Sequence, residues 1–132
     1  TGLTMDLTDS DGTATDANTT AVVLAVAGAT TLTKTATILS YTAAKVANAA
    51  ALETALEVGG GVLTTEADTG LTKDDAFLIQ YQDSDTNGWN LAVINSTATV
   101  AKNVQIAAVE VTDLFTTDYT SAFVAANFDY VA

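Results

Sequence analysis

The side chains of this chain that could do chemistry are almost all oxygen ligands: there are 16 Asp and Glu, but no His and no Cys. Ten of the 16 lie in three places. The first is Asp9-Ser10-Asp11-Gly12, with Asp6, Asp16 and Asn18 nearby. Hard oxygen donors at this density can wrap Ca²⁺, and Gly12 permits the tight turn. The same residues also build a polar Asx-type turn without metal. The second is Asp83-Ser84-Asp85-Thr86-Asn87-Gly88, which matches the first half of an EF-hand loop. The twelfth position is Ile94 rather than the bidentate Glu, and the flanking segments read as strands, so an EF-hand is excluded. A hairpin turn without metal is the simpler reading. A β-loop calcium site at Asp83, Asp85 and Asn87 is the alternative. The third is Glu66, Asp68, Asp74 and Asp75. Paired carboxylates can hydrolyse glycosides, but only at a fixed separation in a cleft, usually with aromatic sugar platforms. With one Trp and no Arg or His to tune the pair, a solvated loop is expected. No catalytic residue is assigned, and the chain is expected not to be an enzyme.

Charge narrows the partners. The net charge is −12, with Lys34, Lys45, Lys73 and Lys102 as the only cationic side chains. Phosphate contacts need clustered Lys or Arg, so no nucleic acid is expected. Anionic membranes repel such a chain, and no apolar run approaches a membrane span. The field attracts cations, Ca²⁺ foremost, or simply keeps the protein soluble. Without Cys and His there are no disulfides, thiolate nucleophiles, common zinc sites or His-based triads. The chain begins at Thr1 without a signal-peptide pattern, which reads as a processed product or a piece of a longer protein.

The elements that would position these groups are mostly strands. Thr is abundant, β-branched and suited to pleated surfaces. Leu3, Met5 and Leu7 alternate with small or polar residues, the mark of a short strand. Strands are also expected at 20–27, 30–39, 76–82, 89–95, 104–112 and 127–131, with a helical turn within 120–126. One helix is expected over about 43–58, with Thr42 as its N-cap. Val46, Ala50, Leu52 and Leu56 would form its apolar face, with Glu53 and Glu57 in solvent and Gly59, Gly60 and Gly61 ending it. Trp89 opens a strand and is expected in the core rather than at a sugar or protein contact. Asn18-Thr19-Thr20 and Asn95-Ser96-Thr97 are formal glycosylation sequons. The fold class is mainly β: a β-sandwich or barrel-like domain with that one α-helix. Residues 1–19 form an N-terminal segment, mobile or assembling, and 20–132 a single β-rich domain.

From residue 75 onward a pattern emerges: AFLIQYQDSDTNGWNLAVINST, then VTDLFTTDYTSAFVAANFDYVA. It resembles the C-terminal modules of bacterial proteins exported by type I secretion, including RTX-associated and S-layer-like surface proteins. The preceding ALETALEVGGGVLTTEADTGLTKDDAF is similar to the helix–glycine–loop that leads into such modules. The resemblance covers about residues 45–132. The ending Phe128, Asp129, Tyr130, Val131 resembles an uncleaved secretion signal. The nonapeptide GGxGxD is absent, so calcium binding does not carry over from those repeats. The resemblance implies export in one step, an extracellular location and no chemistry of its own.

A structural or assembly domain is therefore expected: a surface-layer, matrix or filament subunit, secreted and located at the cell surface. It would self-associate or contact other extracellular components, with Leu3, Met5 and Leu7 lending an edge strand. The alternatives are a glycan- or protein-binding module near Trp89, and a C-terminal export domain without other activity. Calcium is the one cofactor expected.

Overall fold

The computed structural model describes residues 23–32, 38–57, 63–67 and 70–127. The protein is mainly β with one α-helix. A five-stranded mixed sheet is built from β1 (Val23–Val26), β3 (Ile38–Val46), β5 (Ala76–Asp83), β6 (Trp89–Ser96) and β7 (Val109–Tyr119), in the order β1-β3-β5-β6-β7. The first three run parallel, and β5, β6 and β7 form an antiparallel meander. A second sheet pairs β2 (Thr30–Thr31) with β4 (Leu63–Thr64). The helix α1 (Ala49–Glu57) lies in the crossover between β3 and β5. Parallel neighbours need such a crossover, because a tight turn can only reverse the chain.

Alternation sorts the two faces. In β5, Phe77, Ile79 and Tyr81 point to the helix side and Leu78 and Gln80 to the other. The helix-side core joins Leu39, Tyr41, Ile79 and Ile94 of the large sheet to Leu52 and Leu56 of α1 and Leu63 of β4. The large sheet thus packs against the small sheet and the helix. On the opposite face Ile38, Leu78 and Leu91 are covered by Leu114, Phe123 and Ala125. The segment carrying Phe123 and Ala125 therefore straps this face and includes a 3-10 turn at Ala125–Asn127.

The helix starts six residues later than its composition suggests. Residues 43–46 extend β3, and Thr42 is a strand residue rather than the N-cap. Ala-rich sequence is tolerant, and the pairing of Tyr41 and Val46 with β5 on either side overrides its helix propensity, leaving residues 42–45 as a register shift between them. The cap is Asn48, whose Oδ1 accepts the Ala51 N–H at 2.9 Å. Ala49, Leu52 and Leu56 form the buried stripe, while Val46 stays in β3 and Ala50 is exposed. The segment 104–108 holds only a bridge at Gln105, and the strand expected over 104–112 instead begins at Val109 and runs on to Tyr119. The hairpin of 76–82 with 89–95 is as expected.

The 70–71 segment is locked to Val100 by reciprocal Leu71 and Val100 N–H···O bonds, both 2.9 Å. A Cβ on Gly70 would lie 2.4 Å from the Val100 carbonyl oxygen, so only glycine fits this approach.

Candidate functional site

The turn between β5 and β6 holds three of the candidate metal ligands. Its backbone closes through Asp83 N–H to Gly88 O (2.8 Å) and Asn87 N–H to Asp83 O (3.1 Å). Asn87 adopts φ 62°, a left-handed geometry that Asn tolerates. Asp83 Oδ1 accepts the N–H groups of Asp85 (2.7 Å) and Thr86 (3.0 Å), making an Asx turn. Lys45 Nζ donates to Asn87 Oδ1 at 2.5 Å. The turn's own donors thus engage one Asp83 oxygen and the Asn87 oxygen. A Ca²⁺ ion bound through those two oxygens would have to displace them.

The N–H donors of Thr86 and Asp85 hold the Asp83 carboxyl below its ordinary value of 3.8. A depressed folded pKa adds stability that is complete above the ordinary aspartate range and is lost as pH falls through the lowered value. The wild-type chain is therefore expected to lose stability more steeply below about pH 4 than Asp83→Asn, which keeps an acceptor but no charge. Urea titrations at stepped pH test this. Parallel curves for the two proteins would show that the turn does not depend on the charge.

Asp74 and Asp75 of the third acidic cluster serve a different turn. Asp75 Oδ2 accepts the Thr72 N–H at 2.7 Å, and Asp74 sits at φ 75° with its N–H on Ser96 O. Asp68 lies outside the described residues. Among the described residues no group of three or more His, Cys, Asp or Glu is placed to hold a metal ion.

A polar corner lies where the sheet's helix side meets this turn. Tyr81 and Asn90 are register partners, and Asp83 and Asp113 share their face. The Tyr81 hydroxyl donates to Asp113 Oδ1 at 2.8 Å. Burial, then the Asp113 hydrogen bond, pushes the Tyr81 phenol far above its ordinary range, so it remains a neutral donor. Asn90 is hydrogen-bonded to both Tyr81 and Asp83, yet its Oδ1 is buried without a partner.

The sheet's two edges differ. At β7, Glu57 Oε1 accepts the Val109 N–H at 2.9 Å and Glu53 Oε2 accepts the Val111 N–H at 3.1 Å. The i, i+4 spacing of a helix is matched to the i, i+2 spacing of one strand edge. These glutamates are therefore not solvated as their spacing suggested. Further along β7 two register shifts interrupt its pairing with β6. Carboxylates and bulges are both devices that blunt an edge. Among the described residues the outer edge of β1 has neither. It is the four-residue stretch Val23–Val26, paired among the described residues with β3 alone.

Trp89 is half-buried rather than a core residue. It pairs in register with Tyr119, which makes an edge-on ring contact with Phe123 (4.7 Å). Phe115, Tyr119 and Val124 are exposed apolar residues of this C-terminal stretch. Asn95 of the second sequon lies within β6, between Ala76 and Glu110.

Leu3, Met5, Leu7, Asp9, Asp11, Asp16, Asn18 and the Phe128, Asp129, Tyr130, Val131 ending all lie outside the described residues. The polar contacts that sequence reasoning missed are those of Glu53, Glu57, Gln80 and the Tyr81–Asn90–Asp113 corner. A glutamine inside the apolar run AFLIQYQ was the available signal for a buried polar anchor. Compared with known proteins, the chain matches no family model, no curated protein and no solved structure.

Proposed function

We propose that this chain is an extracellular structural subunit, secreted by a bacterium through a type I route, that assembles with copies of itself by strand exchange. The observation supporting assembly is the edge asymmetry: β7 is blunted by Glu53, Glu57 and two register shifts, while β1 pairs, among the described residues, with β3 alone. A sheet with one open edge and a strand-forming segment nearby has the two parts that edge-to-edge assembly needs. Deleting residues 1–10 is expected to convert assemblies to monomers in size-exclusion chromatography and electron microscopy. Assemblies of unchanged size would remove this reading. The Phe128, Asp129, Tyr130, Val131 ending fits the same export route.

A second reading is a binding module for a glycan or surface protein. It is favoured by the exposed rings of Phe115 and Tyr119, with Trp89 beside Tyr119. Aromatic faces are suited to such contacts. The chain has a single Trp, so a ligand here would change its emission.

Calcium remains part of the proposal, at Asp9, Asp11 and Asp16 or at Asp83, Asp85 and Asn87. Displacing Lys45 and two backbone donors disfavours the second set, so the first is preferred. A melting temperature raised by millimolar Ca²⁺ over EDTA would support ion binding.

A further inference from the structure

The surface on which the N-terminal segment acts can be named, which deepens the assembly reading and rests on it for its partner. Among the described residues β1 is an edge strand, yet Val26 is fully buried and Leu24 packs against the helix-side core, while Val23 packs against the opposite one. Both cores therefore extend to β1, the last strand of the large sheet among the described residues. Ala25 between them is exposed. The backbone here carries no Pro, no charge and no bulge, the features that natural edges use to refuse a partner.

Residues 3–7 have the complementary character. Leu3, Met5 and Leu7 would fall on one face of an extended segment, with Thr4 and Asp6 on the other. Such a strand could continue one of the cores past β1 and satisfy its outward backbone groups. Residues 8–22 separate this segment from β1 and span at most about 50 Å when extended. That length reaches β1 of the same chain or of a neighbour. The same segment has no comparable place on β7. There the Val109 and Val111 N–H groups are already taken by Glu57 and Glu53, and the pairing beyond them is irregular.

We infer that residues 3–7 pair with the outer edge of β1, and that the glutamates of α1 keep them off β7. The edge asymmetry thus gives assembly a direction, with one donor segment and one acceptor edge per copy.

The chain has no cysteine, so single cysteines map this contact cleanly. Met5→Cys is combined with Ala25→Cys on β1, or with Thr112→Cys on the exposed side of β7, and treated with a short flexible bismaleimide. The pairs are placed in one chain and, separately, in two mass-tagged copies. Preferential linkage to Ala25→Cys over Thr112→Cys, by an order of magnitude in yield, is the expected result. Linkage between copies supports this inference and the assembly reading together. Linkage confined to single chains supports the β1 site and removes self-assembly by strand exchange. Equal linkage to both strands, preference for β7, or no linkage would overturn the inference.

Discussion

Gln80→Leu is expected to destabilise the protein by about 2–4 kcal/mol, the cost of leaving buried polar groups without partners. Gln80 is 1% exposed and sits in the middle of β5. Its Nε2 donates to Ser40 Oγ at 3.1 Å and to the Phe123 carbonyl at 2.8 Å, and its Oε1 accepts the Phe123 N–H at 2.6 Å. One side-chain amide thus imitates a strand neighbour for one residue of the C-terminal strap. Leucine nearly matches its volume, so packing is roughly conserved while all three bonds are lost. The strap should detach first, because Phe123 and Ala125 cover Ile38, Leu78 and Leu91 from one side only. A fall in melting temperature of roughly 10 °C is expected. Limited proteolysis should cut the strap around Tyr119 and Phe123 well before it cuts the sheet. A variant with wild-type melting and wild-type digestion would show that the clamp contributes nothing.

Glu53→Ala with Glu57→Ala is expected to turn β7 into an adhesive edge. The two substitutions leave the Val109 and Val111 N–H groups without acceptors, on a strand whose Val109 and Val111 side chains are buried under α1. Each lost charge-assisted bond costs about 1–3 kcal/mol. Exposed ladder groups also invite pairing between molecules. In a chain lacking residues 1–10, sedimentation should show concentration-dependent dimers or larger species that the parent does not form. Glu53→Gln with Glu57→Gln is the control, since an amide oxygen still accepts both N–H groups while the charge is gone. It should remain monomeric. If the alanine and glutamine pairs sediment alike, the glutamates do not guard this edge.

Some of this was legible in the residues themselves. The hairpin of β5 and β6 follows from alternating apolar residues on either side of DSDTNG, whose Asp, Asn and Gly favour turns whatever lies around them. Leu52 and Leu56 recur at helical spacing, so a helix had to form near them, although its start did not follow. Thr42 through Val46 have no local signal that forbids a helix. They stay in the strand because Tyr41 before them and Val46 at their end pair with Tyr81 and Asp83 of β5, which lie more than thirty residues away in sequence.

The chain by itself determined that this is a mainly β protein with one helix, strongly acidic and without Cys or His. Those properties are set by period, propensity and composition, which act within a few residues. Only the tertiary structure decided which strands run parallel and what Glu53, Glu57 and Gln80 hold. The contacts of Glu53, Glu57 and Gln80 join groups 40 to 58 positions apart in sequence, and no local pattern encodes where a distant backbone N–H will lie.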